Sequence, residues 1–172
     1  MTIAGLTFGW AFCGYFAVVI ATAALLHHLR GMPRFFSLVS LPGTVGHELL
    51  HFLVGTVTLA KPVKVSLLPK FHRDGSATLG YVMFSNIRWY NALWVGFAPL
   101  LALPAAFVLV YLRAAHVPPV EPVELAWSYV AASLAYSCLP SRADVDIVLS
   151  KPVGLGAYVV LAAALAWFAF LR

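Results

Sequence analysis

Three polar residues stand in the otherwise apolar stretch LPGTVGHELLHFLVG, residues 41–55. His47, Glu48 and His51 fit the H-E-x-x-H pattern, in which histidines four residues apart lie on one face of a helix. Both imidazoles can then bind one metal ion, while Glu48 lies beside them and reaches a metal-bound water. Zinc lowers the pKa of such a water to about 7, and a glutamate can take its proton. The motif predicts a zinc hydrolase site.

The surroundings of the motif favour this function over a chance grouping of polar residues. An unpaired carboxylate inside an apolar span is energetically costly, so ionisable groups within a membrane usually serve a function. Gly43 and Gly46 precede the motif at helical spacing and would let a neighbouring helix approach it closely.

A catalytic zinc ion usually has three protein ligands, so the motif needs one more. The chain has six acidic residues, and those outside the motif fall in a predicted hairpin turn, in a connection on the opposite side, and in LPSRADVD. That last segment contains Asp144 and Asp146, which point in nearly opposite directions if they lie on a helix. We favour Asp144, because it lies closer to the apolar interior and follows the chain break at Pro140. Asp146 stays the alternative.

Composition predicts the class of protein that contains this motif. Of the 172 residues, 62% are hydrophobic and 10% are charged, whereas soluble domains have about 25% charged residues. Residues 1–29, 89–112 and 152–171 contain no Asp, Glu, Lys or Arg, and each is long enough to cross a bilayer, which takes about 20 residues of helix. We therefore expect an all-α, multi-pass membrane protein with about five transmembrane helices. The predicted spans cover residues 5–29, 35–60, 89–112, 123–139 and 153–171.

Residues 62–85 are predicted to form a small β-hairpin between the second and third spans. Two β-rich flanks surround FHRDGS, and its Asp74-Gly75 dipeptide tolerates the positive φ of a tight turn. An open strand edge cannot lie in hydrocarbon unless its backbone groups are satisfied. The hairpin should lie at the interface or against the helices beside a polar site. The chain has no repeat or long linker, so we expect a single domain over residues 1–172.

Charge and cysteine content limit the other functions. The net charge is +5, and the cations of the hairpin place it in the cytoplasm by the positive-inside rule. No loop combines a basic stripe with interleaved aromatic residues, so we expect no nucleic-acid binding. Cys13 and Cys138 both fall in predicted spans and are interpreted as packing residues. The sequence does not predict an oligomeric state.

The stretch GHELLHFLVG resembles the metal-binding helix of the site-2 protease family of intramembrane metalloproteases. That family supplies its third zinc ligand two spans later, from the aspartate of an N-P-x-x-D-G motif. CLPSRADVD lies at the same place, although Leu139 replaces the asparagine, Asp144 falls one residue late and no glycine follows it. GFAPLLALP, residues 96–104, resembles the glycine-proline segment of the intervening span without its asparagine. Asn86 and Asn91 are the nearest amides.

The resemblance implies a zinc-dependent intramembrane endopeptidase of a minimal, divergent kind. Zn²⁺ would be held by His47, His51 and Asp144, and Glu48 would be the catalytic base. The partners would be the lipid bilayer and a membrane-protein substrate with a transmembrane helix, held as an added strand by the hairpin. The protein would lie in a prokaryotic cytoplasmic membrane, with its active site opening toward the cytoplasm. The alternative is a non-proteolytic, metal-binding homologue with a scaffold or regulatory role.

Overall fold

The computed structural model describes residues 2–3, 6–7, 10–73, 77–116 and 121–171. The chain is mostly helical. Its α-helices, numbered in chain order, are α1 (Trp10–His28), α2 (Pro33–Val39), α3 (Leu41–Val57), α4 (Ala92–Gly96), α5 (Ala102–His116), α6 (Pro122–Tyr136), α7 (Arg142–Leu149) and α8 (Pro152–Phe170). Its strands are β1 (Thr2–Ile3), β2 (Leu6–Thr7), β3 (Pro62–Ser66), β4 (Lys70–Phe71), β5 (Ala77–Thr78) and β6 (Tyr81–Phe84). Short 3-10 helices cover Leu29–Gly31 and Ala98–Leu101.

The predicted helical class is confirmed in outline, and two of the predicted spans are helices of membrane-spanning length. Within the described ranges, Phe12–Gly31 and Pro152–Phe170 are long and apolar enough to cross a bilayer, by length and composition. The second and third predicted spans are broken. Ser40 separates α2 from α3, and a 3-10 helix with Pro99 near its start separates α4 from α5. Proline lacks a backbone N–H, so it is tolerated at the start of a helix but not within one.

Small residues allow close packing where α1, α5 and α6 meet. The core of this bundle consists of Tyr15, Val19, Ala106, Val110, Ala131 and Ala132. At one end, the fully buried Glu124 carboxylate accepts hydrogen bonds from Tyr15 and from the Arg113 guanidinium, whose Nε lies 3.0 Å from it. The sequence placed Glu124 in a connection, but it lies in the first turn of α6. Its pairing with both neighbours offsets the cost of burying its charge.

The predicted hairpin is present as two short antiparallel ladders. β3 pairs with β6, with Ser66 opposite Tyr81, and β4 pairs with β5, with Lys70 opposite Thr78. The Asp74-Gly75 turn lies outside the described residues. β3 and β6 contact α3, and β5 contacts α2, so the strands run back alongside the helix that carries the H-E-x-x-H motif. Of the two places predicted for the hairpin, the structure shows the one against the helices.

A glycine sets how closely α3 approaches α6. A Cβ atom on Gly43 would lie 2.1 Å from the Ser133 carbonyl oxygen and 2.4 Å from Ser137 Oγ. Both distances are shorter than any allowed contact, and the first partner is backbone, which cannot rotate away. Only glycine therefore permits this contact, which also brings His47 to the end of α6.

We predict that Gly43→Ala destabilises the fold by about 1–3 kcal/mol, the usual cost of forcing extra volume into a packed contact. Thermal unfolding in detergent would show this as a lower Tm. Gly156→Ala is the matched control, because nothing lies within 4 Å of a Cβ there and alanine favours a helix over glycine by about 1 kcal/mol. An unchanged Tm for Gly43→Ala would contradict the close contact between α3 and α6.

Candidate metal centre

Three side chains converge at the start of α7. His51 Nε2 lies 3.0 Å from Asp144 Oδ1, and His47 Nε2 lies 3.4 Å from Asp144 Oδ2. The two Nε2 atoms lie 3.2 Å apart. The structure therefore brings together residues from α3 and α7 that are about ninety positions apart in the chain. Together they form a group that can hold a metal ion.

Backbone carbonyls fix the orientation of both imidazoles. His47 Nδ1 lies 2.8 Å from the Ser137 carbonyl oxygen, and His51 Nδ1 lies 2.9 Å from that of Val95. A carbonyl only accepts hydrogen bonds, so in a neutral imidazole the proton lies on Nδ1 and the lone pair on Nε2. Metal-binding histidines are commonly oriented by such outer-shell carbonyls.

The resulting donor set fits a zinc ion. Two imidazole lone pairs and a carboxylate face one another, and these acceptors repel unless a cation lies among them. A tetrahedral zinc ion with bonds of about 2.0–2.1 Å holds its ligand atoms about 3.3 Å apart. The separation of 3.2 Å between the two Nε2 atoms is close to that value, and each Nε2 lies 3.0–3.4 Å from one of the two Asp144 oxygens. Two imidazoles and a carboxylate are ligands that zinc accepts, and the identity of the metal is part of the proposal below.

A capping box at the start of α7 positions Asp144. Ser141 is the N-cap: its Oγ accepts a hydrogen bond from the Asp144 N–H, and the Ser141 N–H donates to Asp144 Oδ2 at 2.7 Å. Burial acts to raise the pKa of the Asp144 carboxyl, whereas the hydrogen bond from Ser141 lowers it. The capping box therefore holds the Asp144 carboxyl in one orientation.

Asp146, the alternative third ligand, lies away from the cluster. Its side chain is exposed, whereas Asp144 is 7% exposed. The two residues are separated by about 200° of helical rotation, so only one of them can face α3. The structure brings Asp144 to the histidines.

Glu48 lies beside the cluster and beneath the hairpin. It is buried, at 7% exposure. A Cβ atom on Gly80, which lies between β5 and β6, would be 2.6 Å from Glu48 Cγ and 3.0 Å from its Oε1. Only glycine can pass this close, so the hairpin backbone covers the glutamate without displacing it. The sequence did not indicate a role for Gly80, because no local pattern around it predicts a contact with Glu48, which lies about thirty residues earlier in the chain.

The two nearby asparagines have structural contacts. Asn91 is fully buried; its Nδ2 donates to the carbonyls of Thr58 and Asn86, and its Oδ1 accepts from the Arg88 N–H. Asn86 Nδ2 donates to the Leu59 carbonyl at 2.8 Å. These bonds stabilise the turn that follows α3, so both amide side chains already have hydrogen-bond partners within the protein. They do not line the cleft described next.

A cleft of about 1030 Å³ opens at the cluster. The motif residues and Asp144 line it, together with residues of β6, the end of α6 and the end of α1. Tyr81, Val82 and Phe84 of β6 are among the lining residues, whereas none from β3 is. Of the two longer strands of the hairpin, β6 is therefore the one that borders the cleft.

No known protein family, curated protein or solved structure matches this chain.

We predict that Asp144→Ala loses zinc and Asp146→Ala keeps it. Removing a ligand should weaken zinc binding beyond the about 10–100-fold cost of losing an outer-shell partner. The measurement is zinc content of the purified proteins by elemental analysis, followed by competition with a chelator. Loss of zinc from Asp146→Ala alone would contradict the assignment.

We also predict that Gly96→Ala weakens zinc binding. A Cβ there would lie 2.6 Å from the Asp144 carbonyl oxygen, so α7 must move away from α4 and take its ligand along. Gly154→Ala is the control: its Cβ would meet the Trp89 carbonyl oxygen at 1.8 Å, away from the cluster. The control should lower the Tm and leave zinc affinity unchanged. Equal zinc affinity in Gly96→Ala and the parent would show that the contact does not position Asp144.

Proposed function

We propose that this protein is an intramembrane zinc endopeptidase that hydrolyses peptide bonds in or near the transmembrane segments of other membrane proteins. The observation that carries the proposal is the grouping of His47, His51 and Asp144, whose ligand atoms lie within 4.8 Å of one another, with Glu48 beside them in one cleft. The resemblance of GHELLHFLVG to the site-2 protease family supports the same function.

The chain's own residues supply most of the chemistry. A bound zinc ion would polarise the scissile carbonyl and acidify a water molecule. Glu48 takes a proton from the attacking water and returns it to the departing amine. Ser137 and Val95 keep both imidazoles oriented through their carbonyls, so no ligand has to reorganise during the reaction.

The hairpin offers a means of holding the substrate. A helical substrate hides its carbonyls in its own hydrogen bonds, so the cleaved stretch must be unwound. β6 pairs with β3, and three of its residues line the cleft. An extended peptide can pair with that edge through its main chain. Of the two strand flanks that the sequence offered for this role, β6 is the one that lines the cleft.

We place the protein in a membrane with about five spans. α1 and α8 are long and apolar enough to cross a bilayer. The shorter helices α3, α5 and α6 present exposed large apolar side chains, including Phe52, Phe107 and Leu125, which suit contact with lipid. The lysines of the hairpin support an orientation in which the cleft opens toward the cytoplasm.

One observation favours the non-proteolytic alternative. The family that the motif resembles has an asparagine after its glycine-proline segment, and no asparagine or glutamine is among the described residues that line the cleft. A chain that binds zinc without cleaving any helical substrate would have a scaffold or regulatory role.

We predict that Glu48→Gln lowers cleavage by about 10²–10⁴-fold, the usual contribution of a general acid-base group, and retains zinc near the parent level. Cleavage is measured on a panel of single-span membrane proteins reconstituted with the enzyme, and zinc by elemental analysis. His47→Ala is the control and should lose both zinc and cleavage. Undiminished cleavage by the glutamine variant would overturn the mechanism.

A further inference from the structure

Helix α1 runs in the same direction as α6. Tyr15, in the first half of α1, donates a hydrogen bond to Glu124 in the first turn of α6. Toward the other end, Ala23 and His27 of α1 line the same cleft as Tyr136, the last residue of α6. Both helices therefore approach the cleft with their C-terminal ends.

The motif helix α3 also runs toward the cleft side. Its start lies beside α6, because a Cβ atom on Gly43 would meet the Ser133 carbonyl oxygen at 2.1 Å. One turn later, His47 reaches Ser137, which follows the last residue of α6. Beyond this point α3 continues past α6 and contacts strands β3 and β6. The helices α1, α3 and α6 thus share one direction.

Between α1 and α3, the short helix α2 runs the opposite way. Phe36 packs its ring against Tyr136 at the end of α6, with centroids 5.9 Å apart. The Val39 carbonyl, almost one turn later, accepts a hydrogen bond from Tyr129, which lies seven residues before Tyr136 in α6. The chain therefore enters the bundle along α6 in α2, turns at Ser40 and returns in α3.

The turn at Ser40 does not reach the far end of the bundle. α2 has 7 residues and covers about 10 Å, a third of the about 30 Å that separate the two faces of a bilayer core. Ser37 and Ser40 are each 1% exposed. The break between α2 and α3 is thus buried in protein, which is the condition under which an interrupted helix is tolerated at membrane depth.

We infer that α2 and α3 form a re-entrant pair, which enters the membrane from the cleft side and returns to that side. The inference rests on the proposed membrane location, and it changes the number of crossings from about five to four, made by α1, α5, α6 and α8. The metal ligands His47 and His51 then lie on the returning half of the pair, which meets water on the cleft side alone.

The distribution of charge agrees with this topology. With five spans, Arg30 and Arg34 lie opposite the hairpin, and the hairpin side holds seven of the eleven Lys and Arg residues. With a re-entrant pair both arginines lie on the hairpin side, which then holds nine, and only Arg113 and Arg172 fall on the other side. Because cytoplasmic loops are enriched in Lys and Arg, the re-entrant pair gives the stronger cytoplasmic signal to the cleft side.

The test labels single cysteines with a membrane-impermeant maleimide on intact cells, before and after the membrane is permeabilised. The full chain with Cys13→Ala and Cys138→Ala is the parent, and each variant is compared with it by Tm to show that it is folded. Lys64→Cys marks the hairpin side and Glu121→Cys the opposite side, since both positions are exposed and both topologies place them there.

Two further variants distinguish the topologies. Gly31→Cys lies between α1 and α2, where nothing is within 4 Å of a Cβ atom, and Thr2→Cys lies before α1. With a re-entrant pair, Gly31→Cys should label from the same side as Lys64→Cys, and Thr2→Cys from the same side as Glu121→Cys. Five spans give the reverse result for both variants.

Gly31→Cys labelling with Glu121→Cys, or Thr2→Cys labelling with Lys64→Cys, would overturn the inference and leave the proposed function standing. Labelling of Lys64→Cys and Glu121→Cys from one and the same side would show that the chain between them does not cross the membrane. That result would overturn the proposed membrane location, and the proposed function and this inference with it.

Discussion

Two imidazole-to-carbonyl hydrogen bonds are the interaction on which the rest of the structure depends. His47 is tied to Ser137 at the end of α6, and His51 is tied to Val95 in α4. These bonds decide which ring nitrogen faces the centre, and they join the motif helix to two other parts of the fold. α7 packs on α4 and carries Asp144 to the same point. The helices can only meet there if their backbones come very close, which is why glycine occupies the helix contacts at positions 43 and 96, and Gly80 lets the hairpin approach Glu48 in the same way.

Polar groups in this apolar chain follow two patterns. Glu124 is fully buried, and its carboxylate accepts hydrogen bonds from Tyr15 and Arg113. It therefore links the helices of the bundle. His47, His51 and Asp144 are different: their acceptor atoms face one another, and a bound cation would complete them.

Sequence patterns predicted the helical class, the hairpin and the outer spans, because long uncharged runs and β-rich flanks are local signals. The same patterns did not predict the breaks within the helical spans. Ser40 divides the second span, a 3-10 helix divides the third, and α7 was not predicted as a separate helix. A local signal for α7 did exist: Ser141 and Asp144 have the spacing of a capping box, which places the start of the helix and buries the aspartate. The hairpin's position against α3 had no such signal.

By itself, the sequence determined that His47 and His51 share one helical face in an apolar setting, with Glu48 beside them, because a helix repeats every 3.6 residues. Only the tertiary structure decided what completes that face. The choice of Asp144 over Asp146, the carbonyls that orient the imidazoles and the glycine next to Glu48 all depend on segments about thirty to ninety residues away. Their positions follow from how closely the helix backbones pack and from where each helix begins. The periodicity of hydrophobic residues within one segment predicts neither of these.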